Sequence, residues 1–197
     1  MDALPLLDWR RSVASLYAEV RATAEPADGH ALWCAGRETL LRDHPQSPVP
    51  TAARAEFRLR TWPYDPAYRF VVPVLATEDE VRSVSTPTDG LVSQDRVGRV
   101  QLGDLGGLDV WWLAVYGGGV FVPLRDATSG DTTYGGGRYV LDTAKGADLG
   151  GGRRDLVIDL NFAYPPSCAY DPAWVCPLPG AGNRLDAAVP VGEQVQS

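Results

Sequence analysis

Residues 108–142 read "LDVWWLAVYGGGVFVPLRDATSGDTTYGGGRYVLD", and their pattern decides the fold. Three short runs rich in β-branched and aromatic side chains, "LDVWWLAVY", "VFVPLRD" and "GRYVLD", are divided by glycine-containing turns and a polar loop, the pattern of successive β-strands. No helix-length segment lies between them, although parallel strands would need one for their crossover. Antiparallel pairing follows. The same signal extends outward, to "YRFVVPVLA", "EVRSVST" and "RVGRVQLG" upstream and to "DLVIDLNFA" downstream. The sum is an antiparallel meander, expected to form a β-barrel or sandwich. The triple glycines 117–119, 135–137 and 150–152 are read as turns rather than a repeat, because the residues around them match at no fixed period.

Upstream the period changes. Between Leu6 and Ala24 the residues Trp9, Val13, Leu16 and Val20 form one stripe of an amphipathic helix. Pro26 is expected to break that helix and Asp28 to cap a second, "HALWCAGRETLLRDH", which ends near His44 because Pro45 forces the chain out of helical geometry. A short helical turn is expected over residues 51–57. The fold class is thus mainly β, with an N-terminal helical hairpin packed on the sheet. One domain over 1–197 accounts for the length: residues 1–60 mostly helical, and residues 61–192 an antiparallel β core ending in a Pro/Cys-rich loop.

Composition narrows the function. The net charge is −7 and the basic residues are scattered arginines with the single lysine Lys145, so no stripe exists to neutralise a nucleic-acid backbone. No run approaches the roughly 20 apolar residues of a membrane span, and "MDALPLLDWRR" is unlike a secretory signal. The expectation is a cytoplasmic protein with neither nucleic-acid nor membrane partners, whose three cysteines stay reduced.

Familiar chemistries are poorly matched. The glycine clusters lack the Lys-Ser/Thr ending or strand–turn–helix setting of a phosphate loop. No Gly-x-Ser-x-Gly elbow occurs, and both histidines, His30 and His44, lie in the helical hairpin; His44 is assigned a capping or surface role. Cys168 and Cys176 have seven residues between them and no histidine after them, unlike the close ligand pairs of zinc sites and unlike the Cys-x-x-Cys redox pair. No metal and no cofactor are expected.

What remains is polar clustering. In "LVIDLNF" strict alternation puts Asp159 and Asn161 on one face and Leu156, Ile158, Leu160 and Phe162 on the other. In "GRYVLD" it puts Arg138 and Asp142 together, opposite Tyr139. The segment "RDATSGDTTYGGGRY" concentrates Asp126, Thr128, Tyr134, Arg138 and Tyr139. Two accounts fit it. One is an Asx-type turn at Asp126 with a structural Asp–Arg pair; the other has Arg138 binding an anionic or carbonyl oxygen while Tyr134 or Asp126 moves a proton.

Together "FVPLRDATSGDTTYGGGRYV", "LNFAYPPSCAYDPAWVCPLPGAGNRL" and "VPVGE" resemble the paired C-terminal motifs of a family of uncharacterised bacterial and archaeal proteins, a domain of unknown function. The resemblance implies a mostly β single domain and leaves the chemistry open. It marks Asp126, Tyr134, Arg138, Tyr139, Asp159, Asn161, Tyr164, Tyr170, Asn183 and Glu193 as part of the shared pattern. Relatives tend to read Ala-Tyr-Asn-Pro where this chain has Ala163-Tyr164-Pro165-Pro166.

In "NFAYPPSCAYDPAWVCPLPGAGN", residues 161–183, prolines 165, 166, 172, 177 and 179 limit the unfolded-state freedom of the loop, so aromatic side chains can be held at small ordering cost. The expected site is an aromatic cover of Tyr164, Tyr170 and Trp174 over a sheet carrying Arg138, Tyr139 and Asn161, with Asn183 as a further ligand-binding residue and Asp126, Tyr134 and Asp159 as acid–base groups. The expected function is a small-molecule-binding β-barrel. It either performs cofactor-free isomerisation, cyclisation or hydrolysis on a carbonyl- or carboxylate-bearing metabolite, or serves as a non-catalytic binding or sensing module. A structural or interaction role would instead show Trp111 and Trp112 in a large exposed apolar patch.

Overall fold

The computed structural model describes residues 3–86 and 90–195. Helix α1 (Ala3–Ala22) and helix α2 (Pro26–Asp43) form the expected hairpin. Pro26 does not so much break α1 as open α2: it occupies the first turn, where its missing N–H would be unsatisfied anyway. Glu25, not Asp28, is the cap residue, and it makes no side-chain cap. His44 closes α2 through its backbone N–H to the Leu40 carbonyl. Its ring is buried, 3.3 Å from Asp8 Oδ2 and edge-on to Trp9, so of the capping or surface role expected of it the capping one holds and the surface one does not. The expected turn after residue 50 is a 3-10 turn over Thr51–Ala53.

Seven strands follow among the described residues: β1 (Arg69–Pro73), β2 (Val81–Thr86), β3 (Gly90–Gln101), β4 (Gly107–Leu113), β5 (Val120–Leu124), β6 (Arg138–Asp142) and β7 (Asp155–Asp159). Strands β2 to β6 make a five-stranded antiparallel meander, and β1 pairs with β7 in a separate antiparallel ribbon. The fold is mainly β with an N-terminal helical hairpin. The ribbon touches the large sheet through isolated bridges, Leu75 to Arg99 at one side and Tyr139 to Tyr164 at the other. These two links are isolated bridges rather than paired strands, so among the described residues the ribbon and the large sheet are two sheets joined at two points, without the continuous strand pairing of a closed barrel.

Buried clusters lie on both faces of the large sheet across β4, β5 and β6. Leu108, Val110, Val122, Leu124 and Val140 pack with Tyr17, Val20 and Trp33 of the helices and Ile158 of β7 in the main core. On the opposite face Trp111, Leu113, Phe121 and Tyr139 form a second cluster, closed by Tyr164 and Cys176 from the C-terminal loop. Trp111 is fully buried, with the Arg82 guanidinium 3.7 Å from its ring centroid, whereas Trp112 is 41% exposed. The two adjacent tryptophans therefore do not build one exposed patch.

Two irregularities redirect side chains. Along β5 and β6 the partners step from Val122–Leu141 to Pro123–Tyr139, which leaves Val140 without an opposite residue. The bulge inverts the alternation, and a proline, which has no N–H to give, is well suited to such a position. In the ribbon, β7 ends at Asp159 and the chain enters a 3-10 turn over Leu160–Phe162.

Candidate functional site

The acid–base candidates are engaged by the protein itself. Asp126 Oδ1 accepts from the Thr128 N–H at 2.8 Å, the Thr128 hydroxyl at 2.5 Å and the Val189 N–H at 3.2 Å, and Oδ2 accepts from Arg138 Nη2 at 2.9 Å. This is the Asx turn and structural Asp–Arg pair of the sequence reading. Arg138 is fully buried. Besides Asp126 its Nη groups donate to the carbonyls of Val189 and Val191, so none of those donors faces open space.

Asp159 caps the 3-10 turn. Its Oδ1 accepts from the Asn161 N–H at 3.1 Å and from Asn161 Nδ2 at 2.8 Å, while Tyr64 donates to Oδ2 at 3.2 Å and Arg69 Nε lies 3.7 Å away. Burial pushes its carboxyl pKa up, against the lowering effect of the hydrogen bonds from Asn161 and Tyr64. Asn161 is fully buried and also clasps both backbone groups of Asp65. Asn183 is fully buried too: Trp111 Nε1 donates to its Oδ1 at 2.8 Å, and its Nδ2 donates to the carbonyls of Asp109 and Pro123. The Tyr134 hydroxyl lies 3.7 Å from Cys168 Sγ, and that contact, ahead of burial, raises its pKa. These residues are thus distributed among separate structural networks.

The aromatic candidates do converge. Tyr164 exchanges both backbone hydrogen bonds with Tyr139 of β6, at 2.7 and 3.0 Å, which brings the Pro/Cys-rich loop alongside the sheet. Tyr139, Tyr164 and Tyr170 then line one cavity of about 70 Å³, closed on its other side by Tyr17 of α1 and Arg37 of α2. Trp174 lines an adjoining cleft of about 220 Å³ with Leu6, Trp9 and Val175, and the two spaces share Trp9, Pro48, Lys145, Ser167 and Cys176. The prolines here are structural: Pro165 and Pro166 are buried in the cavity wall.

The inner cavity holds charge that the sequence reading had not assigned to a site. Arg37 Nε donates to Glu193 Oε2 at 2.7 Å, and Tyr170 joins them, donating to Glu193 and accepting from Arg37 Nη2 at 3.1 Å. The Arg37 guanidinium carbon also stands 4.5 Å from the Tyr164 ring centroid, a cation–π contact. Burial works against the Arg37 charge, but Glu193 outweighs it and the guanidinium pKa is raised. Across the cavity Asp142 ends β6, and the 3-10 turn Thr143–Lys145 brings the Lys145 ammonium to 3.5 Å from Asp142 Oδ2; the carboxylate raises the lysine pKa. Asp142 is 2% exposed, and among the described residues its Oδ1 has no hydrogen-bond partner. Buried polar atoms are seldom left so. The four tyrosines of the wall, Tyr17, Tyr139, Tyr164 and Tyr170, all have raised pKa values, chiefly through burial, so they present neutral hydroxyls.

Strict alternation had grouped Asp142 with Arg138. The bulge at Val140 is why Asp142 instead shares the cavity with Tyr139. Arg37 was hidden for another reason: its partners lie 133 and 156 residues away, beyond any local pattern. Among the described residues no group of three or more His, Cys, Asp or Glu side chains is placed to hold a metal ion. The cysteines are free thiols.

Fold and site together define a mainly-β protein whose helical hairpin and Pro/Cys-rich loop enclose a mixed polar and aromatic cleft beside the sheet. The chain belongs to the family described as protein of unknown function (DUF1684), whose family model matches residues 56–194. It is similar to an uncharacterised protein from gene locus rrnAC0354 of Haloarcula marismortui, known from a solution NMR structure: 33% identity, a TM-score of 0.60, and coverage of 82% of this chain and 89% of that one. No curated protein matches. The helical hairpin lies outside the residues matched by the family model, whereas the sheet, the loop and Glu193 lie inside them.

Proposed function

We propose that this protein binds a small molecule in the cleft between the helical hairpin and the Pro/Cys-rich loop, with the head of the ligand in the inner cavity and its body against Trp9 and Trp174. The observation that carries the reading is Asp142, a residue of the inner cavity wall whose buried Oδ1 has no hydrogen-bond partner among the described residues. Small-molecule sites are concave, largely apolar, and supplied with a few convergent polar groups. Non-catalytic binding is the better supported form, because the carboxylates of Asp126 and Asp159 already accept their hydrogen bonds from the protein.

A thermal-shift screen of metabolites against the purified protein tests this. A ligand at 100 times its dissociation constant stabilises by about 2.7 kcal/mol, and Trp174→Ala, at a side chain 39% exposed, is expected to weaken every hit without lowering the melting temperature of the free protein. Hits that survive both Trp174→Ala and Trp9→Ala unchanged would move the site elsewhere.

A further inference from the structure

Building on that reading of the cleft, we infer that its ligand is an electrically neutral molecule that presents a hydroxyl group to Asp142 from an apolar, ring-bearing body. This reverses the polarity expected from the sequence, in which Arg138 was to meet a carboxylate or carbonyl. Arg138 is held by Asp126 and two backbone carbonyls. Arg138 Nε has no hydrogen-bond partner among the described residues, but Arg138 lines neither the inner cavity nor the outer cleft. Of the lining residues it is Asp142 that carries an atom without such a partner, and that atom is an acceptor, so the ligand has to donate.

Neutrality follows from the charges of the wall. Arg37 is paired with Glu193 at 2.7 Å and Lys145 with Asp142 at 3.5 Å, which leaves the inner cavity balanced. A buried charge without a counter-charge is costly. A carboxylate entering here would meet the free oxygen of Asp142, and an ammonium would meet Lys145 and Arg37. A hydroxyl avoids both penalties: it donates to Asp142 Oδ1 and can accept from Lys145 or a tyrosine hydroxyl.

The body is set by the outer cleft. Trp9, Trp174, Leu6, Val175 and Pro48 offer apolar and aromatic surface, with Arg10 and Gln46 also in its lining. At about 220 Å³ the space suits a single ring more than an extended chain. The two spaces share Trp9, Pro48, Lys145, Ser167 and Cys176, so ring and hydroxyl have to be joined by a short link.

Three probes sharing one skeleton separate the possibilities: 2-phenylethanol, 2-phenylethylammonium and phenylacetate, each titrated to millimolar concentration by thermal shift and by tryptophan fluorescence. The alcohol is expected to bind at least tenfold more tightly than either ion. Asp142→Asn, which removes the negative charge and adds an amide donor, is expected to weaken the alcohol and to make phenylacetate the best of the three. Lys145→Met, at a half-exposed side chain, is expected to shift preference to the ammonium, because Asp142 then lacks its counter-charge. Trp174→Ala is expected to weaken all three alike. An ion binding best to the unaltered protein, or unchanged preferences in both Asp142→Asn and Lys145→Met, would overturn the neutral-hydroxyl inference and leave the cleft as a site. Failure of all three probes to bind would overturn both.

Discussion

Arg138 and Asp126 form an ion pair entirely shut off from solvent, Nη2 to Oδ2 at 2.9 Å with side-chain exposures of 1% and 0%. The pair holds more than two side chains together, since both residues also bond the backbone of the segment at Val189–Val191. Removing one member strands the other without water, a loss of about 3–5 kcal/mol. Arg138→Ala is therefore expected to destabilise by that amount in urea titrations, and Asp126→Ala by a comparable one. In the double variant the loss should fall well short of the sum. Additive losses would show that the two charges do not depend on each other.

Gly137 lies at φ +91°, and a Cβ there would come within 2.6 Å of the Leu124 carbonyl oxygen and 2.8 Å of Pro179 Cγ. Gly137→Ala is expected to lower stability by more than about 1 kcal/mol, from the left-handed conformation and from the forced retreat of the loop. Gly130 has a similar φ of +92° but its nearest contact would be at 3.9 Å. Gly130→Ala should cost only the conformational part, and equal midpoint shifts for the two would discount the contact with Pro179.

His30 is buried among Trp33, Tyr64 and Phe162, and burial lowers its pKa below 6.5 despite a backbone hydrogen bond to Asn161 that favours the proton. As pH falls through about 6.5 the unfolded chain takes up a proton before the folded one does. The contribution of His30 to stability is thus complete above that pH and is lost as pH falls towards the folded value. Urea midpoints should decline over this window, and His30→Gln should flatten the decline. Only two histidines exist, so an NMR titration of the ring protons would read the His30 value directly; a midpoint at or above 6.5 would refute the prediction.

Burial also raises the thiol pKa values of Cys34 and Cys168. The thiolate is the reactive form, so iodoacetamide at pH 7.5 should label both far more slowly in the folded protein than in urea. Rapid labelling of either in the folded state would contradict its enclosed setting.

Most of the fold was legible in local pattern. The helical stripe Trp9, Val13, Leu16 and Val20, the strand runs and the turn glycines each announce their element within a few residues. Of the expected aromatic cover, Tyr164 and Tyr170 line the inner cavity with Tyr139 of the sheet, while Trp174 lines the adjoining cleft; the prolines mark the loop that carries all three cover residues. The polar half of the cleft was not. Alternation locates side chains only while a strand stays regular, and the bulge at Val140 and the turn after Asp159 each end that regularity at the residue where it mattered. A second obstacle was chemical: Asp126 and Arg138 look alike in sequence whether they serve a ligand or each other, and only the donors around them distinguish the cases. Asp142, by contrast, was grouped with Arg138 and given no role of its own, since what distinguishes it is a missing neighbour.

The contact between Arg37 and Glu193 closes a span of 156 residues, and long spans are costly to close before other contacts shorten them. The contact is therefore expected to form late in folding, once sheet and helices have brought the two sides near. Trp33, whose ring lies 5.7 Å from the same guanidinium, should report that step as a slow fluorescence phase in stopped-flow refolding, one that Glu193→Gln would alter while the earlier burst is left as it was.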